Sequence, residues 1–311
     1  MSGVAVEPVS ADLPFGARIT GVNRDNVRDE VTRKGIHAAF MESGVLVFSD
    51  VESSAEMQVE IASIFGRLRH HAMAEVGRAD VGAEASLTEL YNHPEDQNVV
   101  EIDGVRLAGR TEWHWDACYA PQIYRGGVIR ALDMPGEGGE TGFADGIQLY
   151  RAISARLREQ FEGLDIIYDP GLMFDRQRFG LPATCRFLET SPSMHAVAAA
   201  YENAPRAIHP AVWQRAMGEK VLHVSPWQAA GIAGREDAEG DALLEDLCQD
   251  MISNMQAYYH SWSENEILAW DNWRMIHMVA GHDPACSRKI HRATIEGDYG
   301  LGRPEFAEAG E

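Results

Sequence analysis

The run Thr111-Glu112-Trp113-His114-Trp115-Asp116 sets an imidazole and a carboxylate two positions apart. In an extended strand, side chains two apart share a face, so His114 and Asp116 would project together while Trp113 and Trp115 pack on the other side. An imidazole beside a carboxylate supplies two of the three ligands of a 2-His-1-carboxylate iron site, whose open positions serve oxygen chemistry. Twelve histidines make one such pair an ordinary coincidence, so its company matters. Downstream, Trp270-Asp271-Asn272-Trp273-Arg274-Met275-Ile276-His277 ends in a further histidine, and Arg288 and Arg292 follow. On a strand Arg288, Ile290 and Arg292 share one face, and two guanidiniums on an inward face need an anionic partner. Arginine suits a carboxylate because its planar fork donates paired hydrogen bonds. A rival metal motif, His93-Pro94-Glu95, reads as a turn because of its central proline and polar flanks.

The chain that must position these groups has 311 residues and a net charge of −21. That charge repels phosphate backbones and anionic membranes, so neither is an expected partner, and anionic ligands would need dedicated arginines. No uninterrupted apolar stretch approaches membrane-spanning length, and the start shows no basic segment leading into an apolar run. Cys118, Cys185, Cys248 and Cys286 are scattered without a Cys-x-x-Cys pair, which fits reduced thiols and a cytoplasmic location.

Apolar spacing over Asn26 to Ser43 (Val27, Val31, Ile36, Ala39, Phe40) predicts a helix stopped by Gly44, followed by a strand Val45-Leu46-Val47-Phe48. Ser53 and Glu56 read as a capping box for a helix carrying Met57, Ile61, Ile64 and Phe65. Residues 74 to 112 read as a long polar, irregular loop. Asp145 is expected to cap one amphipathic helix bearing Leu149, Tyr150, Ile153, Leu157 and Phe161, and Leu243 to Met255 a further one. Short strands are expected near residues 128–132, 221–224 and 266–270, and residues 170–205 have no clear period. Many short strands with interspersed helices, and no βαβ alternation, point to an antiparallel barrel or jelly roll. Gly-x-Gly-x-x-Gly and Walker motifs are lacking, which removes support for dinucleotide or P-loop chemistry.

These motifs together resemble the taurine dioxygenase/TfdA family of Fe(II)- and 2-oxoglutarate-dependent dioxygenases. The resemblance runs through Phe15-Gly16-Ala17-Arg18-Ile19-Thr20-Gly21-Val22, His114-x-Asp116, Gly138-Gly139-Glu140-Thr141 and Ile208-His209-Pro210. It continues through Leu222-His223-Val224-Ser225-Pro226, Trp270-Asp271-Asn272 with His277, and Arg288 with Arg292. It implies a mostly β fold with flanking helices around a double-stranded β-helix (jelly-roll, cupin-like) core, in one domain over residues 1–302. Lid segments would lie near 72–112 and 170–205, with an acidic, frayed tail at 303–311. It implies that His114, Asp116 and His277 hold Fe(II), and that Thr141 and Arg288 bind the distal carboxylate of 2-oxoglutarate. Arg292 would meet an anionic group of substrate or cosubstrate. His71 matches a substrate-binding histidine of taurine dioxygenase, and Arg110 stands where that enzyme has an asparagine.

The same resemblance implies hydroxylation, or oxidative cleavage, of a small anionic organic substrate with O2, releasing succinate and CO2, and a homo-oligomer (dimer or tetramer). Ala74 replaces a substrate tyrosine of the taurine enzyme, and the loop between His71 and His114 is longer, so a larger or differently shaped acid than taurine is expected. Asp116 speaks against halogenation, because related halogenases lack the carboxylate so that chloride can bind iron. Two alternatives are a zinc-dependent hydrolase or isomerase on the same barrel, and a catalytically silent small-acid-binding protein.

Overall fold

The computed structural model describes residues 3–69, 87–170, 176–201 and 204–306. Asp29 accepts the Thr32 N–H and starts the helix Glu30–Ser43, which buries Ile36, Ala39 and Phe40 and leaves Val31 exposed. Gly44 ends it at φ 73°, a left-handed conformation that suits glycine, and a Cβ there would lie 2.6 Å from Met275 Sδ. The strand Val45–Phe48 follows as expected. The next helix, Ala55–Ala62, is capped by Ser54 rather than Ser53, through the Met57 N–H. Asp145 caps Gly146–Ala152, and what was expected as one helix breaks there. Ile153 turns extended and Ser154 caps a second helix, Ala155–Phe161.

Two sheets carry the site. The larger runs Ala5–Pro8, Ala17–Thr20, Val45–Phe48, Ile267–Asp271, Gly126–Asp133, Arg288–Ile295, with Leu68–Arg69 and Leu87–Asn92 both paired to the last. Its neighbours are antiparallel except Ala17–Thr20 beside Val45–Phe48. The smaller sheet orders Ala257–His260, Thr141–Asp145, Met275–Val279 and Thr111–His114, all antiparallel. Phe143 and Met275 of the smaller sheet share one buried cluster with Val45, Ile129, Leu268, Trp270 and Ile290 of the larger, so the two sheets face each other there. A second cluster seats the first two helices on the outer face of the larger sheet. A third packs the helices Gly146–Ala152, Ala155–Phe161 and Ala238–Ser253 behind the smaller sheet, with Trp113 and Trp115.

Within residues 74–112, expected to be irregular, lie the strands Leu87–Asn92, Val99–Ile102 and Val105–Ala108, and the strand expected at Thr111 runs to His114. Val99–Ile102 and Val105–Ala108 form a hairpin whose two-residue turn, Asp103-Gly104, has both φ values positive. The indistinct 170–205 region contains the strand Arg186–Glu189 and the helix Pro192–Ala200. The chain end is not wholly frayed: Arg303–Pro304 pairs with Ala207–Pro210, and Arg303 meets Asp165 at 2.7 Å. Among the described residues no helix is long and apolar enough to cross a membrane.

One buried ion pair locks the smaller sheet to the rest. Arg274, three residues before His277, gives Asp145 two hydrogen bonds of 2.9 Å, and its third nitrogen reaches the Glu42 carbonyl at 2.7 Å. Asp145 is fully buried and Arg274 only 4% exposed. Asp145→Ala strands a buried guanidinium and is expected to cost about 3–5 kcal/mol in denaturant unfolding. Adding Arg274→Met should recover part of that loss, and a cost below about 1 kcal/mol for the single change would contradict this assignment.

Candidate active site

Strand register brings the two histidines together. His114 and His277 are cross-strand partners on neighbouring antiparallel strands, with ring centroids 4.2 Å apart. His114 Nδ1 lies 2.7 Å from the Glu112 carbonyl, which can only accept, so Nδ1 carries the proton and Nε2 keeps its lone pair. Burial lowers the pKa of His114, and burial with His114 alongside pushes His277 down to about 3, so both imidazoles are neutral at pH 7.

Asp116 does not lie on the strand with His114. The strand ends at His114 and the chain turns, with Ala117 at φ 61°, yet the alternation of faces persists through the turn. His114 and Asp116 both line the cavity while Trp113 and Trp115 are buried on the opposite side, Trp115 stacked at 4.2 Å on His223. Arg292 grips the Asp116 carboxylate at 2.7 and 3.1 Å.

One ligand atom from each of His114, Asp116 and His277 lies within 4.8 Å of the others, and among the described residues no other such cluster occurs. His277 is 7% exposed, and its Nδ1 has no hydrogen-bond partner among the described residues. Two neutral imidazoles, with His277 Nε2 3.7 Å from the Asp116 carboxylate, fit with that carboxylate a divalent first-row metal such as Fe(II). The rival His93-Pro94-Glu95 is a turn closed on itself, the Glu95 N–H donating to His93 Nδ1 at 3.2 Å.

These ligands open into a cavity of about 280 Å³, lined also by Thr141, Arg110, Arg288 and Arg292. Arg288, Ile290 and Arg292 share the inward face of their strand, as spacing predicted. Arg288 is 3% exposed, and its hydrogen bonds go to the Gly139 carbonyl at 3.0 Å and Thr141 Oγ1 at 3.2 Å. Among the described residues no carboxylate pairs with it, and burial pushes its pKa down to about 10, which still leaves it charged at pH 7. Trp262 Nε1 also donates to Thr141 Oγ1, at 3.3 Å. With both hydroxyl lone pairs occupied, the Thr141 proton remains for a ligand.

Arg110 lines the same cavity but is already engaged, with Glu112 at 2.6 and 3.1 Å and with the Ala280 carbonyl at 3.2 Å. Glu112 was not singled out from the sequence, although Arg110, Glu112 and His114 alternate onto one face. Trp227, also not singled out, packs edge-on against His114 at 4.8 Å. His71 lies outside the described residues. His209 is tied to Tyr299 and the Ala120 carbonyl, a structural role.

Known proteins place this arrangement. Residues 5–294 match the family model of taurine catabolism dioxygenase TauD, TfdA family. The (S)-phenoxypropionate/alpha-ketoglutarate-dioxygenase of Sphingobium herbicidovorans is 28% identical over 289 residues, covering 92% of this chain and 93% of that protein. The alpha-ketoglutarate-dependent 2,4-dichlorophenoxyacetate dioxygenase of Burkholderia sp. is 25% identical over 264 residues, 82% of each. In fold, the chain is similar to AAD-2 in complex with Mn(II) and N-oxalylglycine, at TM-score 0.69 and 22% identity over 97% of this chain and 99% of the other. The chain belongs to the TauD/TfdA family and is a 2-oxoglutarate-dependent (alpha-ketoglutarate-dependent) dioxygenase that uses Fe(II), 2-oxoglutarate and O2.

Proposed function

We propose that this enzyme oxidises a small, singly charged organic acid of the aryloxyalkanoate kind. The two facing sheets are read as halves of a double-stranded β-helix, with His114, Asp116 and His277 holding iron at its mouth. Bound Fe(II) with 2-oxoglutarate and O2 supplies the oxidising power that hydroxylates a carbon–hydrogen bond while 2-oxoglutarate becomes succinate and carbon dioxide. The protein's residues do the positioning. Arg288 and the Thr141 hydroxyl hold the distal carboxylate of 2-oxoglutarate, and Arg292 steadies Asp116 while facing the substrate's anionic group. His71 is retained as a substrate-side residue. Where the attacked carbon bears an ether oxygen, hydroxylation leads on to cleavage into a carbonyl compound.

The observation that carries this reading is Arg288, a buried cation in the same cavity as the three metal-capable residues and without a carboxylate partner among the described residues. Leaving a buried charge uncompensated is costly, so an anion is the expected occupant. Charge bookkeeping narrows the substrate. Among the described residues Arg110 cancels against Glu112 and Arg292 against Asp116, leaving the single positive charge of Arg288. Fe(II) adds as much charge as the 2-oxoglutarate dianion removes, so the loaded site keeps one positive charge and a monoanion neutralises it. Arg110, neutralised in place, serves the substrate as a polar wall. The curated relatives named above carry phenoxy acids in their names, which supports the aryloxyalkanoate class.

Arg288→Ala is expected to weaken 2-oxoglutarate binding by about 1.5 to 3.5 powers of ten, on the order of the 2–5 kcal/mol lost when one partner of a buried charge pair is truncated. Anaerobic titration of the Fe(II) protein with 2-oxoglutarate, followed by visible absorption, reads this directly, and metal affinity should hold. Unchanged 2-oxoglutarate affinity in this variant would remove Arg288 from the role. For the substrate, a panel of organic acids scored by succinate release should favour monocarboxylates bearing an aryloxy group. Analogues with a second carboxylate should be about tenfold poorer or worse, one power of ten being 1.4 kcal/mol. A dianion or an uncharged ether preferred over every monoanion would overturn the charge argument.

A further inference from the structure

Asp116 leaves the regular strand before it reaches the metal-capable cluster, so something other than a sheet ladder must fix its main chain. That something is one side chain. Asn272, fully buried, accepts the Asp116 N–H on Oδ1 at 2.8 Å and donates from Nδ2 to the Asp116 carbonyl at 3.0 Å and the Tyr124 carbonyl at 3.2 Å. Both backbone groups of Asp116 therefore end on a single amide, which also closes the loop running from Asp116 to Tyr124. The amide admits one orientation, since a flip would set its oxygen against two carbonyls and its NH2 against an N–H.

Asn272 is itself held at both backbone groups. Its N–H donates to the Arg125 carbonyl at 3.1 Å, and its carbonyl lies 3.0 Å from His223 Nε2. It sits in the turn between Ile267–Asp271 and Met275–Val279, five residues before His277. The stretch that delivers the second histidine therefore also grips the backbone of the carboxylate residue, which couples the two positions through one rigid turn. A side-chain carboxylate moves with the Cα that carries it, so freeing the Asp116 backbone would loosen the cluster even with Arg292 in place.

We propose that Asn272 is a positioning residue for the metal site: its amide fixes the Asp116 main chain at the spacing His114 and His277 require. This rests on the reading of Asp116 as a metal ligand. Supporting groups around a ligand typically contribute about 10–100-fold in metal affinity. Asn272→Ala and the milder Asn272→Ser, whose hydroxyl can still accept an N–H, are expected to weaken Mn(II) and Co(II) binding by about that range, Ser less than Ala. Affinities are measured by titration without 2-oxoglutarate or substrate and normalised to the folded fraction. The Co(II) absorption spectrum should shift as well.

Two further variants separate the outcomes. Ile36→Ala opens a cavity in the cluster on the outer face of the larger sheet, at a residue that does not line the site, and should lower stability while leaving metal affinity and the Co(II) spectrum as in the parent. Asp116→Ala should abolish tight metal binding. Were Asp116→Ala to bind metal normally, the ligand reading itself would fall. Were it to lose metal while both Asn272 variants, or Asn272→Ser alone if Asn272→Ala does not fold, bound as tightly as the parent with an unshifted spectrum, the positioning role of Asn272 would be refuted.

Discussion

The antiparallel register of Thr111–His114 against Met275–Val279 is the constraint on which the rest depends. It places His114 opposite His277, so both imidazoles leave the smaller sheet on one face. A slip by one residue would send one ring into the packed core beside Trp113 and Trp115 and leave the other alone. That register is held from several sides. Thr141–Asp145 pairs with the other edge of Met275–Val279 and sets Phe143 opposite His277, while Asp145 and Arg274 join the sheet to the end of the first helix. Sheets packed face to face keep a separation of about 10 Å, and this leaves room for Arg288 and Arg292 to reach in from the larger sheet. Glycine serves the same end: a Cβ on Gly127 would lie 2.2 Å from the Trp270 indole, which lines the cavity.

Electrostatics then divides the cavity by task. The chain carries a charge of −21, yet three arginines line this one cavity. Each is treated differently by its neighbours. Glu112 neutralises Arg110, Asp116 shares Arg292, and among the described residues Arg288 is left with a carbonyl and a hydroxyl. A buried guanidinium in such surroundings is stabilised by an arriving carboxylate, and the cost of desolvating the cation has been met in the folded state. A zinc hydrolase gives this cation, which has no carboxylate partner among the described residues, no task, whereas a diacid cosubstrate does.

Much of this was legible in the sequence where a local rule had no competitor. Gly44 had to end a helix, Val45–Phe48 had to be a buried strand, and the face shared by Arg288, Ile290 and Arg292 followed from a period of two. His277 was different: only its match to a family pattern tied it to His114 and Asp116, because their meeting depends on a ladder between strands more than 150 residues apart. Misreadings arose where two signals competed. Gly and polar residues over 74–112 masked Asp103-Gly104, whose positive φ values make a hairpin turn rather than a loop. Adjacent serines hid which one caps Ala55–Ala62, and continuous apolar spacing concealed the break that Ser154 introduces. The ion pair of Arg110 with Glu112 shows why single residues mislead: an arginine near a site reads as an anion receptor until its carboxylate neighbour is counted.

The parts of the site differ in how they are built, and this bears on how the family can share a reaction while its members act on different acids. His114, His277, Thr141, Arg288 and Arg292 all stand on strands, and Asp116 hangs from Asn272 at a strand-connecting turn. Their positions move only if the sheets move. Part of the remaining lining is less regular: Asn98 from a loop, Met194 from the helix Pro192–Ala200, and Trp227 with Gln228 from a single 3₁₀ turn. That helix is tethered by side chains rather than a ladder, with Asn98 accepting the Ser191 N–H and Asp96 accepting from Ser193. Substitutions in these connections can reshape part of the cavity without disturbing the strands that carry His114, His277, Thr141, Arg288 and Arg292. The ladder therefore fixes the two histidines of the metal-capable cluster and the two inward arginines, while loops and short helices close part of the cavity around them.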